Sequence, residues 1–253
     1  MTEAEFSHLA EKVSSWAEYL YFHLMGEPTA HPLLPRFIAK AKELGLKPII
    51  TTNGTLLRSR ERELLDSELY KINVSLHAFE ANEIKTPFED YVSGCVDFVK
   101  KAAERGTISV LRLWNLDGRA EGALNEKNGL ILSALHEAFP SEWVKTRSGY
   151  RLTHKVFLEW GEKFDWPDAE GEVLSETGFC YGLRDQIGVL CDGTVVPCCL
   201  DGNGEIPLGN LFETSLDEIL SAPRAKMIYD GFTKHECTED LCKRCMRAGY
   251  YRG

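Results

Sequence analysis

Apolar residues recur with two alternating periods over roughly the first two-thirds of the chain. Phe6, Leu9, Ala10, Val13, Trp16 and Ala17 follow helical spacing. Tyr19-Leu-Tyr-Phe-His-Leu24 reads as a buried strand that stops at Gly26-Glu27-Pro28. Leu34, Phe37, Ile38, Ala41 and Leu44 return to helical spacing, with Gly45 where a C-cap belongs. Lys47 to Thr52 predicts a strand closed by Asn53-Gly54, and Arg58 to Leu69 a helix. Lys71 to Leu76 predicts the next strand, and Val92, Cys95, Val96, Val99, Ala102 and Ala103 the next helix, ending at Gly106. Thr107 to Trp114 and His154 to Glu159 predict two more strands, with a helix from Leu130 to Phe139 between them.

Repeated strand–helix units imply a parallel sheet with right-handed crossovers. This many units suit a barrel or partial barrel better than a small open sheet. Either arrangement places ligands at the carboxyl ends of the strands. Gly26-Glu27-Pro28, Thr51-Thr-Asn53-Gly54, Ser75-Leu-His77 and Arg112-Leu-Trp-Asn115 all fall there.

A different organisation follows. Trp160 to Glu176 is polar, carries Gly161, Pro167 and Gly171, and reads as a linker. The expected domains are therefore 1–160, a linker over 161–176, and a module over 177–253. In that module Asp192-Gly193 joins two β-forming runs, a hairpin signal. A two-residue loop would set Cys191 opposite Thr194, Val189 opposite Val196 and Ile187 opposite Cys198. Strand alternation would then send Cys198 and Cys199 to opposite faces, so that only one of them joins a metal centre. Ser215-Leu-Asp-Glu218 has the form of a capping box before a short helix, Leu216 to Leu220, and Arg224 to Tyr229 predicts another.

Composition narrows the class. Hydrophobic residues make up 43% and charged residues 27%, as in ordinary globular proteins. No apolar run approaches the roughly 20 residues that span a bilayer, and Met1 to Phe6 lacks an apolar signal core. A cytoplasmic location is expected, with thiols kept reduced. The net charge of −10 disfavours nucleic acid as a partner.

Of eight cysteines, seven lie in the last third: Cys180, Cys191, Cys198, Cys199, Cys237, Cys242 and Cys245. Reduced thiols so grouped point to a metal site. The Cys242-Lys-Arg-Cys245 knuckle brings two sulfurs to one centre, and two from the hairpin region would complete four. Four thiolates suit structural zinc or an iron–sulfur cluster, and spacing does not choose between them. Cys95, on an apolar helix face, reads as core.

Met25-Gly26-Glu27-Pro28 at a strand end, then Thr51-Thr-Asn-Gly54 and Ser75-Leu-His-Ala-Phe-Glu80, resembles the radical S-adenosylmethionine enzymes. Cys180, Gly193-x4-Cys198 and Cys242-x2-Cys245 resemble their auxiliary-cluster module of the SPASM or twitch type. The likeness spans nearly the whole chain. It implies an α/β fold, a partial (β/α)6 barrel of TIM type, with a small hairpin-plus-helix cysteine-rich module. It implies an oxidoreductase or maturase that cleaves S-adenosylmethionine and abstracts hydrogen from a small-molecule or peptide substrate, served by an electron-donor protein. By the same resemblance Gly26 and Glu27 would meet the methionine amino group, Ser75 the ribose and Arg112 the ligand carboxylate, with Asn53 also at the cofactor. Cys180, Cys198, Cys242 and Cys245 would hold one auxiliary [4Fe–4S] cluster.

The sequence departs from the family in one decisive place. The CxxxCxxC loop that holds the catalytic cluster is missing, since no cysteine precedes Cys95. The first barrel strand is missing too, which would leave an edge of unpaired backbone groups. Met25 also stands where the first glycine of Gly-Gly-Glu-Pro is usual. The chain as given is expected to be inactive in reductive cleavage, the expected reason being an upstream segment that it lacks. The alternative reading is an α/β binding protein with a zinc ribbon. It explains the terminal knuckle but not the strand-end motifs.

Overall fold

A computed structural model describes residues 1–81, 85–116, 126–163 and 165–250. The chain runs α1 (Glu3–Val13), β1 (Tyr19–Phe22), α2 (Leu34–Glu43), β2 (Lys47–Thr52), α3 (Glu61–Asp66), β3 (Lys71–Ser75), α4 (Ala78–Ala81), α5 (Phe88–Glu104), β4 (Ile108–Leu116), α6 (Glu126–Ala138), β5 (Val144–Lys145), β6 (Gly149–Thr153) and β7 (Val156–Glu162). It continues with β8 (Gly188–Val189), β9 (Thr194–Val196), β10 (Gly209–Asn210), α7 (Leu216–Ser221), α8 (Pro223–Thr233), α9 (Asp240–Lys243) and α10 (Met246–Tyr250). Two units form: Ala17–Lys163, and Met1–Trp16 together with Phe164–Gly253. Among the described residues no helix is long and apolar enough to cross a membrane.

The first unit is a mixed α/β layer on a seven-stranded sheet of order β1-β2-β3-β4-β7-β6-β5. β1, β2, β3, β4 and β7 are parallel neighbours, the arrangement expected of strand–helix repeats. β6 pairs antiparallel with β7 and β5 with β6, a hairpin the apolar pattern did not announce. Its strands are short and mostly exposed, so no period-two stripe marks them. β7 continues to Glu162, past the expected end of the domain at 160.

Register sorts the side chains onto two faces. Ile50, Ile72, Val74, Leu76, Leu111, Leu113, Val156 and Leu158 share one apolar core with α5 residues such as Val92, Cys95, Phe98 and Val99. Each such large side chain, fully buried, stabilises the fold by about 1.5–3 kcal/mol. The alternate positions carry Thr51, Lys71, Asn73, Ser75, Arg112 and Glu159 together with Ile49, Val110 and Phe157, so the other face is mixed, with Ser75, Arg112 and Glu159 side by side toward the strand ends.

Tyr19-Leu-Tyr-Phe22 was expected to be buried and is not. β1 is the edge strand, pairing only with β2, and Tyr19 and Tyr21 are exposed. Their rings still find partners, since the Lys47 ammonium sits over both Tyr19 and Tyr70. The helix expected over Arg58–Leu69 is confined to α3.

Gly54 closes the β2 turn at a φ of +79°, and a Cβ there would meet Cys95 Sγ at 2.7 Å. The backbone turn therefore packs directly on α5, where the Tyr91 hydroxyl donates to the Asn53 carbonyl at 2.7 Å. Burial pushes the Cys95 thiol from 9.0 up to about 12. The folded state thus keeps this proton after the unfolded chain has lost it. The associated stability is complete below about pH 9 and is lost as pH rises toward 12. Urea unfolding at pH 10 should give a stability about 1.4 kcal/mol below that at pH 8 from this group. Cys95→Ala should remove that part of the slope, and equal slopes in the two proteins would refute the assignment.

The second unit corrects two expectations. The N-terminal helix, expected to belong with the domain over 1–160, is α1, and its Leu9 and Val13 pack with Val195, Leu211, Leu216 and Ile219 of the cysteine-rich unit. Helical periodicity records that a face is buried but not against what. α1 is capped by the Thr2 hydroxyl and Glu5, and α7 by the expected Ser215–Glu218 box. The hairpin register is also off by one. Val189 pairs with Val195 and Gly188 with Val196, because the loop has three residues, Cys191-Asp192-Gly193. Gly193 at φ +85° supplies the left-handed residue that such a loop requires, and Asp192 Oδ1 accepts from Thr194 N at 3.0 Å.

Candidate functional site

Two groups of side chains stand apart, one in each unit. On the sheet unit they gather at the carboxyl ends of β1 to β4 and β7. Gly26 is exposed at φ +80° beside an exposed Met25. Just before it Leu24 holds φ +107°, a conformation uncommon for a branched side chain and one that collects at functional turns. Glu27 starts a single 3-10 turn, and its carboxylate is heavily used. Oε1 accepts from Thr29 N at 2.9 Å, Thr29 Oγ1 at 2.5 Å and Thr52 Oγ1 at 2.7 Å. Oε2 accepts from Asn53 N at 2.7 Å. Glu27 thereby ties the end of β1 to the end of β2. Asn53 turns its Oδ1 back to Thr55 N and Oγ1, at 3.0 and 2.7 Å.

Ser75 lies beside Arg112 in register, and Arg112 beside Glu159. The Arg112 Nε donates to Glu159 Oε2 at 3.3 Å, while the guanidinium stacks over Trp114 at 4.3 Å. Burial pulls the Arg112 guanidinium down from its usual range, and Glu159 opposes that. Burial likewise depresses the Lys71 ammonium, again opposed by Glu159. Asn73 is fully buried; its Nδ2 donates to Thr51 Oγ1 at 3.2 Å and its Oδ1 has no partner among the described residues. His77 accepts from Trp114 N at Nδ1, 3.2 Å away, and burial lowers its proton affinity. The arrangement offers a cation, hydroxyls and amides on a partly shielded floor, suited to a polar ligand with an anionic end. Lys71, Asn73 and Glu159 were not among the sequence candidates. Their signal was the polar half of the strand alternation, which was read only for its apolar half.

The second group is sulfur. Cys180 lies in a segment stitched to two others. Phe179 N donates to Ala248 O at 3.0 Å on the side of the knuckle, and Leu183 N to Pro197 O at 3.2 Å on the side of the hairpin. Cys180 Sγ and Cys198 Cβ stand 3.6 and 3.7 Å from the place a Cβ on Gly182 would take. Gly182 N donates to Cys180 Sγ at 3.3 Å. In the knuckle, Cys245 N donates to Cys242 O at 3.3 Å. Burial raises the thiols of Cys180, Cys198 and Cys242, the second to about 12. For Cys242 the charges of Cys198, Cys180, Cys245 and Cys237 add to the rise, so Cys237 shares the neighbourhood of the four expected ligands.

Two of the remaining cysteines separate clearly: Cys191 is exposed in the hairpin turn, and Cys95 is in the core of the other unit. Cys237 does not, because it is buried in an apolar cluster with Ile228 and Phe232 against which Cys180, Cys242 and Cys245 also pack, and its charge raises the Cys242 thiol. Cys199 corrects the strand argument. β9 stops at Val196 before Pro197, which has no N–H to continue a ladder. Cys198 and Cys199 therefore lie in a turn, where alternation does not apply, and Cys199 also feels Cys180 and Cys245.

Among the described residues no three His, Cys, Asp or Glu side chains are set to hold a single metal ion. Zinc bonds of roughly 2.3 Å draw thiolates within about 4 Å of one another. A cluster of four irons separates its ligands further. Four soft donors, partly buried and with a backbone N–H aimed at one sulfur, fit such a cluster.

Residues 180–246 match the family SPASM, described as an iron–sulfur cluster-binding domain. The matched stretch contains all four candidate ligands as well as Cys191, Cys199 and Cys237. Related sequences are probable GTP 3',8-cyclases. One from Sulfolobus acidocaldarius is 45% identical over 56 residues, 22% of this chain and 18% of that protein. One from Methanococcus maripaludis strain C7 is 24% identical over 212 residues, 73% of this chain and 70% of that protein. The chain thus spans under a fifth of the first relative. Among solved structures, BtrN in complex with AdoMet and 2-DOIA superposes with a TM-score of 0.57 at 20% identity, over 97% of this chain and 80% of that one. Streptococcus suis SuiB bound to S-adenosylmethionine gives 0.58 at 15% identity, over 99% and 66%. These likenesses show the fold. With the SPASM domain they bear out the resemblance to radical S-adenosylmethionine enzymes drawn from the sequence.

Proposed function

We propose that this chain is the substrate-binding sheet and SPASM domain of a radical S-adenosylmethionine oxidoreductase or maturase, acting in the cytoplasm on a peptide or small molecule with an electron-donor partner. The observation that supports the reading is the match of residues 180–246 to an iron–sulfur cluster-binding domain, with the Gly182 N–H directed at the Cys180 sulfur and the charges of Cys180, Cys198 and Cys245 acting on Cys242. Those four thiols would hold a [4Fe–4S] cluster. Burial holds the Cys180, Cys198 and Cys242 thiols above their usual range, so loading the site releases protons and strengthens as pH rises.

S-adenosylmethionine would lie over the mixed face of the sheet and supply hydrogen abstraction when reduced. There Glu27 holds the loop at Asn53 in place, with the second lone pair of Oε2 left for a ligand ammonium. Arg112, fixed by Glu159 and Trp114, turns its other N–H groups to a carboxylate, and Ser75 stands beside it. The neighbour SuiB has been seen with the precursor peptide SuiA, which favours the peptide among the two substrate classes.

Anaerobic reconstitution of the chain tests the reading. It should take up about four irons and show absorbance near 400 nm. It should release no 5′-deoxyadenosine with S-adenosylmethionine and dithionite, because its sequence has no CxxxCxxC. A colourless product with stoichiometric zinc would instead establish the zinc-ribbon alternative, and 5′-deoxyadenosine made by this chain alone would refute the division of roles.

A further inference from the structure

A cavity of about 540 Å³ opens in the sheet unit, between α6 and the β5–β6–β7 edge. Its lining side chains come from positions that the proposed cofactor face does not use. Tyr150 and Trp160 share the alternation of Leu158, which points into the helical layer, whereas Glu159 lies on the mixed face with Arg112. His136 of α6 stacks on Trp143 with centroids 3.8 Å apart and planes 7° from parallel. Tyr150 is 6.0 Å from Trp143, and Trp160 completes an aromatic wall. The indole N–H of Trp160 is buried without an acceptor among the described residues, so the indole meets the cavity through its ring. Trp143 spends its own N–H on Phe139 O at 2.9 Å.

The charge of the cavity is as distinctive as its walls. Among the described residues Lys145 and Arg147 line it and no carboxylate does, in a chain whose net charge is −10. A low-dielectric recess with cations at its border concentrates anions. Aromatic walls select a flat π system and tolerate which one it is. Size decides among flat anions. A benzoate-like molecule would leave most of this volume empty, whereas a purine joined to a phosphorylated sugar is of the scale that such pockets hold.

We propose that this cavity binds a purine nucleoside monophosphate, its base against the aromatic wall of Trp143, Tyr150 and Trp160 and its phosphate toward Lys145 and Arg147. The site is independent of the radical chemistry proposed above, because it shares no residue with the S-adenosylmethionine face. Calorimetric titration of the full chain with AMP and with GMP tests it. At least one should bind at a single site, with adenosine or guanosine and inorganic phosphate each at least ten-fold weaker. Arg147→Ser should weaken the nucleotide at least five-fold, Arg112→Ser should leave it unchanged, and saturating S-adenosylmethionine should not displace it. The proposal falls if neither nucleotide binds the folded chain, if Arg147→Ser has no effect, or if S-adenosylmethionine competes.

Discussion

Cys242→Ser will leave the reconstituted chain nearly free of iron, taking it from about four irons per chain to less than one, with loss of absorbance near 400 nm. The reason is chemical before it is geometric. Cys242 is half-buried in the terminal knuckle, and its sulfur shares its surroundings with Cys180, Cys198 and Cys245. A serine hydroxyl keeps the size but does not ionise in the range where a thiol does, so one corner of the cluster loses its ligand. Cys198→Ser should behave alike. Cys191→Ser, altered in an exposed turn, and Cys95→Ala, altered in the other unit, should load iron as the parent does. Cys199→Ser is the informative control. It tests whether the cysteine adjacent to Cys198 in the turn is a bystander, and retention of iron is the expected result. Iron analysis and visible absorbance decide. Parental iron content in Cys242→Ser would remove the knuckle from the site.

Glu27→Ala will destabilise the sheet unit by about 3 kcal/mol, with the urea midpoint falling accordingly. No other carboxylate at the strand ends accepts as many hydrogen bonds among the described residues. Its two oxygens take the backbone N–H of Thr29 and Asn53 and the hydroxyls of Thr29 and Thr52. Thr29 and Thr52 are almost wholly buried, so water does not replace the lost acceptor cleanly. Bonds to a charged acceptor contribute about 1.5–3 kcal/mol each, and relaxation of the turn recovers part of the total. Glu27→Gln, which preserves shape and one carbonyl acceptor, should lose roughly half as much. The residue that the resemblance assigns to the cofactor is thus also what joins two strand ends. A change below 0.5 kcal/mol, roughly the scatter of surface substitutions, would show that the turn holds without it.

Much of this arrangement was legible in advance. Strands β2, β3, β4 and β7 and helices α2, α5 and α6 follow their apolar periods because each buries one face of one element, a property written within a dozen residues. The capping box at Ser215 and the turn glycine at position 193 were readable for the same reason. The four metal candidates were marked by spacing and by the resemblance, and all four fall within the stretch that matches the iron–sulfur cluster-binding family.

The errors have one origin. Local pattern shows that a residue is buried or turned, but not its partner. Leu9 and Val13 make an apolar stripe that would suit either unit, and only long-range packing sends it to Val195 and Ile219. Asp192-Gly193 announces a hairpin under a two-residue or a three-residue loop alike. The difference shifts the register by one, while Pro197, by ending β9, leaves Cys198 and Cys199 in a turn. The alternation Lys71, Asn73, Ser75 against Ile72, Val74, Leu76 is present in the chain, yet which half faces helices and which a ligand follows from the order of five parallel strands. Side-chain type and short-range spacing therefore chose the elements and the donor atoms. The pairing of distant segments, which burial enforces only once the whole chain has collapsed, chose their faces, their register and the cavity beside α6.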